Sequence, residues 1–73
     1  MNKYVYSICS GDEWPGIESV MGTSITDAEE KVIATYCDVM DIEDDGFDYR
    51  EFQEYLNSEY NVVLSDLYDI EEL

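Results

Sequence analysis

The sequence contains no histidine, and only Lys3, Lys31 and Arg50 are basic. Histidine is the commonest general base and the commonest metal ligand, so its absence disfavours the usual catalytic and metal sites. Nineteen Asp and Glu residues outweigh the three cations and leave a formal net charge of −16. Contacts to nucleic-acid phosphates require a basic surface, and anionic lipid headgroups repel an acidic one. We therefore expect no direct nucleic-acid binding and no membrane association, but a basic protein partner.

Cysteine and long apolar runs are also scarce. Cys9 and Cys37 match no metal-ligand spacing, and two cysteines are too few for a secreted disulfide scaffold. No apolar run approaches the ~20 residues of a membrane span, and the N-terminus lacks the basic and apolar regions of a signal peptide. These features predict a cytoplasmic protein in which both thiols are reduced, with a Cys9–Cys37 disulfide as the alternative.

Aromatic residues, by contrast, are plentiful for so short a chain. Seven Tyr, two Phe and one Trp contribute to a hydrophobic content of 45%. Disordered segments of high net charge are poor in aromatic and β-branched residues, so this chain is predicted to fold. Its 73 residues form one small domain, residues 1–73, because a domain usually takes roughly 100–200 residues.

The first half of the chain predicts two strands followed by a helix. Residues 3–9 alternate and are rich in β-branched and aromatic side chains, and residues 17–23 can pair with them as a hairpin. Thr26 and Glu29 have the spacing of a capping box for a helix over residues 27–40. Apolar residues in that segment recur every three or four positions, which gives the helix one core-facing stripe.

The second half predicts another helix and a third strand. Asp48 or Asp45 can cap a helix that runs to about residue 58. Residues 60–64 have the composition of a strand, which could continue toward Tyr68. The order β-β-α-α-β predicts an α+β fold, in which a three-stranded antiparallel sheet carries two helices on one face.

Charge carries the strongest functional signal. Thirteen of the nineteen acids lie between residues 38 and 72. Asp48, Glu51 and Glu54 are three residues apart on the second helix, so they are spaced about 4.5 Å along its axis. One DNA strand carries a charge every ~3.4 Å, so this row resembles a phosphate strand in sign and density. The predicted partner-binding residues are Glu43, Asp44, Asp45, Asp48, Glu51 and Glu54, then Asp66, Asp69, Glu71 and Glu72, with Trp14 as an aromatic contact.

In size, charge and mixed α/β pattern the whole chain resembles the small acidic inhibitors with which phages and mobile elements mimic DNA. These include anti-CRISPR, anti-restriction and uracil-DNA glycosylase inhibitor proteins. The resemblance implies a stoichiometric inhibitor that blocks the basic DNA-binding groove of a nucleic-acid enzyme, such as a Cas nuclease or a restriction enzyme. A Cas9-directed anti-CRISPR protein is the first candidate, and a phage-encoded protein of this kind would act in the host cell cytoplasm.

Two other interpretations stay open. An acidic protein-interaction module or antitoxin would present the same surface to a basic partner that does not bind DNA. Residues 41–46 begin like a calcium-binding EF-hand loop, with acids at positions one, three and five and Gly46 at position six. Position twelve of that loop is Phe52 instead of the ligand Glu, so the motif is at most a degenerate single EF-hand. We expect no cofactor, no metal and no catalysis, since the chain has no Gly-rich phosphate loop or nucleophile motif.

Overall fold

The predicted fold class is confirmed. The computed structural model describes residues 1–11 and 16–72, without the side chain of Glu72. It is an α+β structure with an antiparallel sheet and two helices in the order β-β-α-α-β, plus a two-residue strand near the C-terminus. The elements are β1 (Asn2–Ser10), β2 (Gly16–Gly22), α1 (Ile25–Val39), α2 (Tyr49–Tyr60), β3 (Val62–Leu64), β4 (Tyr68–Asp69) and a 3-10 turn (Ile70–Glu72).

Strand β1 is the centre of the sheet. It pairs with β2 along one side, from Asn2↔Gly22 to Ile8↔Gly16. On its other side β3 pairs with the end of β1, and β4 pairs with Tyr4 and Val5. The third strand therefore does not run on without a break toward Tyr68. It is interrupted at residues 65–67 and resumes as β4.

The core lies between one face of the sheet and the two helices. Alternate residues of β1, Tyr4 and Tyr6, are buried on this face, and Val62 and Leu64 of β3 join them. The predicted stripe of α1 is confirmed, because Ala28, Val32, Ile33 and Cys37 are buried in the same cluster. Helix α2 contributes Tyr49, Phe52 and Leu56. The helices lie side by side, with α1 packed mainly on β2 and α2 mainly on β3.

The start of α1 differs from the prediction. The cap is Ser24, not Thr26, and the helix begins at Ile25. The Ser24 hydroxyl accepts a hydrogen bond from the Asp27 amide at 3.2 Å, and the Asp27 carboxylate accepts one from the Thr23 amide at 2.9 Å. Asp27 therefore has the role expected of Glu29 in a capping box. The Thr23 amide and the Lys31 ammonium lower the pKa of Asp27.

The start of α2 agrees with one of the two predicted caps. The Asp48 carboxylate accepts a hydrogen bond from the Glu51 amide at 2.8 Å. The helix continues two residues beyond the expected end, to Tyr60. Asn61 follows in the left-handed conformation, with φ 55°, and its amide donates to the Leu56 carbonyl. Asn is one of the few residues that adopt this conformation at low cost, so it ends the helix.

Candidate acidic binding surface

The loop between α1 and α2 presents carboxylates to solvent because its apolar residues hold it to the core. Ile42 and Phe47 are half-buried against the core cluster. The Ile42 amide also donates to the Cys37 carbonyl at 2.8 Å. Between these two points Glu43, Asp44 and Asp45 are all exposed.

Helix α2 continues this acidic surface. Asp48, Glu51 and Glu54 are exposed as predicted. One cation lies among them, since the Arg50 side chain approaches the Glu54 carboxylate at 3.7 Å. The two side chains are 87% and 74% exposed, and an ion pair in that setting contributes little to stability. Arg50 thus offsets one charge of the row without shielding the rest.

An open pocket of about 520 Å³ brings residues from three segments together beside α2. Glu29 of α1, Glu54 of α2 and Asp66 of the segment after β3 line it. The Gln53 amide group positions Asp66, because it donates to the Leu64 carbonyl at 2.9 Å and to the Asp66 carboxylate at 3.0 Å. The pocket therefore joins the first and second sets of predicted acids at one place.

The pKa of Glu29 is raised at this pocket. Partial burial raises this pKa, and the charges of Asp66 and Asp48 raise it further. Tyr49 is affected in the same way, because burial and then Asp66 and Glu29 raise the pKa of its phenol. The neutral Tyr49 hydroxyl donates to the Ser65 carbonyl at 2.7 Å. Tyr49 is thus a fixed, uncharged wall of the pocket.

A second hollow, of about 340 Å³, extends the surface toward α1. It is lined by Glu30 and Ile33 of α1 and by Asp44, Gly46 and Phe47 of the loop. The two hollows are lined by neighbouring residues of α1, Glu29 and Glu30. We define the acidic surface as the acids that line the two hollows together with the predicted row of α2: Glu29, Glu30, Asp44, Asp48, Glu51, Glu54 and Asp66.

Not all predicted acids belong to this surface, since Glu43 and Asp45 are exposed on the loop but line neither hollow. Asp69 lies in β4 and lines a different hollow with Thr23 and Ser24 at the start of α1. Its carboxylate accepts a hydrogen bond from the Glu71 amide at 3.0 Å. Glu71 is exposed in the C-terminal 3-10 turn. Trp14 and the side chain of Glu72 lie outside the described residues.

Glu29 and Glu30 were not among the predicted site residues. The sequence pattern assigned Glu29 to a capping box with Thr26, a role that Asp27 fills in the structure. The signal that could have identified Glu29 is its place beside the apolar stripe of α1. A carboxylate there lies close to whatever packs against the helix.

The calcium-binding interpretation gains no support from the geometry. Nine residues, 40–48, separate α1 from α2, so the twelve positions of an EF-hand loop run into α2. Phe52, at the twelfth position, is fully buried in the core. The Asp44 carboxylate accepts a hydrogen bond from the Gly46 amide at 3.1 Å. Within residues 1–11 and 16–71, no three side chains of the ligating types converge to hold a metal ion.

Comparisons with family models, with curated proteins and with solved structures give no match for this chain. Among the described residues no helix is both long enough and apolar enough to cross a membrane. A functional proposal therefore depends on the acidic surface and on the fold that forms it.

Proposed function

We propose that this protein is a stoichiometric inhibitor that mimics nucleic-acid phosphates and occupies the basic groove of a nucleic-acid enzyme. The single observation that supports this proposal best is the acidic surface, to which α1, the loop, α2 and the segment after β3 all contribute. Of the three cations only Arg50 lines it. Lys31 instead contacts Asp27 and the Met21 carbonyl, and Lys3 lies on β1.

The amount of charge suits such a groove. The longest dimension of the molecule is 32 Å. Duplex DNA carries a charge every ~1.7 Å, so that length corresponds to about 19 phosphates. The formal charge of the protein is −16. The total charge of the protein is therefore comparable to that of a DNA segment of the same length, and seven of the acids belong to the acidic surface.

Inhibition would proceed in two steps. Long-range attraction between the acidic surface and a basic groove increases the rate of encounter, and salt reduces this effect. Basic side chains of the groove then form ion pairs with Glu51 and Glu54, and one of them can enter the pocket between Glu29 and Asp66. While these groups are paired they are not available to phosphate. We take a Cas nuclease as the first target to examine, with Cas9 as the leading case and restriction enzymes next.

Charge-neutral variants test whether the arrangement of the acids matters. The variant D48N/E51Q/E54Q removes three charges from the acidic surface, and the D48N change keeps a side-chain oxygen that can cap α2. The matched control, E18Q/D38N/E59Q, removes three charges from exposed positions on β2, on α1 and at the end of α2. Both proteins serve as bait in a bacterial lysate beside the parent, and the affinity of the captured partner is then measured.

The surface variant should bind its partner at least about tenfold more weakly, since that loss needs only about 1.4 kcal/mol over three charges. The control should retain most of the parent affinity. Equal losses in the two variants would mean that net charge alone drives binding and would contradict the proposed surface. An antitoxin or interaction module would give the same variant results, but duplex DNA would not displace its partner.

A further inference from the structure

Strand β2 is an open edge of the sheet. It pairs with β1 on one side, and no other described strand lies beside it. The backbone amide and carbonyl of Ser7 face the side of β1 away from β2, because both form hydrogen bonds with Ser65. The backbone amide and carbonyl of successive residues point to opposite sides of an antiparallel strand, so the even-numbered residues of β1 form hydrogen bonds with β2. The register pairs these residues with the even-numbered residues of β2. The odd residues, Ile17, Ser19 and Met21, therefore direct their amides and carbonyls away from the sheet.

A hydrogen bond from α1 agrees with this direction. The Lys31 ammonium donates to the Met21 carbonyl at 3.0 Å, as expected if that carbonyl faces the open edge. The edge-facing residues also carry exposed apolar side chains. Ile17 is 79% exposed and Met21 is 45% exposed.

Within its own sequence β2 lacks the features by which proteins usually protect an edge strand, although Lys31 of α1 contacts the edge at the Met21 carbonyl. Edge strands are commonly blocked by Lys, by Pro, by a bulge or by a short length. Strand β2 has seven residues, contains neither Lys nor Pro, and pairs with β1 in an unbroken register. In a chain with nineteen acids it carries only one, Glu18.

The sequence of β2 is complementary to itself. We propose that a second copy of this chain pairs antiparallel with β2 about a two-fold axis at Ser19, which joins the two sheets into one. All seven residues then pair, and Ser19 lies opposite Ser19 of the second copy. Ile17 lies opposite Met21, so the exposed apolar side chains meet as cross-strand pairs. This register places the outward amides and carbonyls of Ile17, Ser19 and Met21 opposite those of the second copy, where they can form hydrogen bonds.

The same register keeps the acids of the edge apart. Glu18 lies opposite Val20, and the two Glu18 side chains are diagonal neighbours about 7–8 Å apart. An axis at Glu18 would instead place them directly opposite and would shorten the pairing. Lys31 takes one lone pair of the Met21 carbonyl, and the second remains for the new strand.

The dimer leaves the α2 part of the acidic surface free. Helix α2 packs mainly on β3, which lies on the other side of β1 from β2. The pairing therefore does not involve α2, whose acids the charge-neutral variant removes, and the two proposals can be tested separately. Because each copy carries a charge of −16, association should strengthen with salt, whereas binding to a basic groove should weaken.

A cysteine at the two-fold axis gives the sharpest test. Directly opposite residues of a hydrogen-bonded antiparallel pair have Cα atoms about 5.5 Å apart, which suits a disulfide. Under mild oxidation S19C should form a covalent dimer of two 8.5 kDa chains. The parent, and the control S58C at an exposed position of α2, should remain largely monomeric on a non-reducing gel. Cross-linking of S19C no faster than that of S58C would overturn the proposed register.

Sedimentation measurements at increasing ionic strength test the association without a cross-link. The parent should shift toward the dimer as salt rises, and I17K should associate at least about tenfold more weakly because Lys blocks edge pairing. The control V39K adds the same charge at an apolar residue of α1 that is 70% exposed, and it should associate like the parent. A parent that stays monomeric at every salt concentration, or a V39K variant as weak as I17K, would overturn the proposal.

Discussion

Gly22 at the end of β2 is the position where one added methyl group should matter most. The glycine is buried against the first turn of α1. A Cβ atom there would lie 2.8 Å from the backbone nitrogen and 2.9 Å from the Cβ atom of Ala28. Ala28 is itself completely buried, and its amide forms the first hydrogen bond of α1, to the Ser24 carbonyl at 3.0 Å. The new methyl group therefore has to displace backbone rather than a flexible side chain.

The expected cost of G22A is that of overpacking a core, about 1–3 kcal/mol. For a domain of this length each kcal/mol lowers the melting temperature by roughly 4–8 °C, so the expected fall is about 4–24 °C. G16A at the other end of β2 is the control, since among the described residues its Cβ atom would meet only the Ile8 carbonyl oxygen, at an ordinary 3.8 Å. Both substitutions restrict the unfolded chain equally, so their difference isolates the steric effect.

Thermal unfolding followed by circular dichroism measures both variants. We expect G16A to melt within a few degrees of the parent or slightly above it, and G22A to melt well below. If G22A and G16A have the same melting temperature, the close packing of β2 against α1 is wrong.

Two further predictions concern carboxylates of the acidic surface. D48A should lower the free energy of unfolding by about 1 kcal/mol because it removes the cap of α2, whereas D48N should leave it nearly unchanged; equal destabilisation in urea unfolding would show that charge, not capping, is responsible. E29Q should melt above the parent at pH 7, because a pKa raised on folding means that stability is lost as pH rises from about 4.5 through the folded value. That difference should close below pH 4.5, and a difference independent of pH would contradict the assigned cause.

The elements of the fold could be predicted because local patterns and tertiary packing agree for them. The three- and four-residue spacing of apolar side chains identifies α1, and Asp48 is one of the two caps that the sequence predicts for α2. The start of α1 could not be chosen in the same way, since Ser24 and Thr26 are both good caps. Strand β4 has two residues, too few for a periodic pattern, and it forms only because β1 extends beyond β3.

Only the part of the candidate site that lies within a single helix could be predicted from the sequence. The row along α2 follows from helix geometry, so Glu51 and Glu54 could be placed beside each other from the sequence. Asp66 reaches the same surface through a hydrogen bond from Gln53, and Glu29 reaches it through the packing of α1 beside α2. The positions of Asp66 and Glu29 cannot be predicted from sequence spacing, because both depend on how the helices dock on the sheet.

Displacement by DNA tests the central claim most directly. The protein is bound to its captured basic partner at fixed concentration, and duplex DNA is added in increasing amounts while the bound fraction is followed. If the acidic surface occupies a phosphate-binding groove, DNA and the protein should exclude each other competitively, and D48N/E51Q/E54Q should be displaced at lower DNA concentrations than the parent. A ternary complex of partner, DNA and protein, with no loss of the bound protein at saturating DNA, would contradict the account.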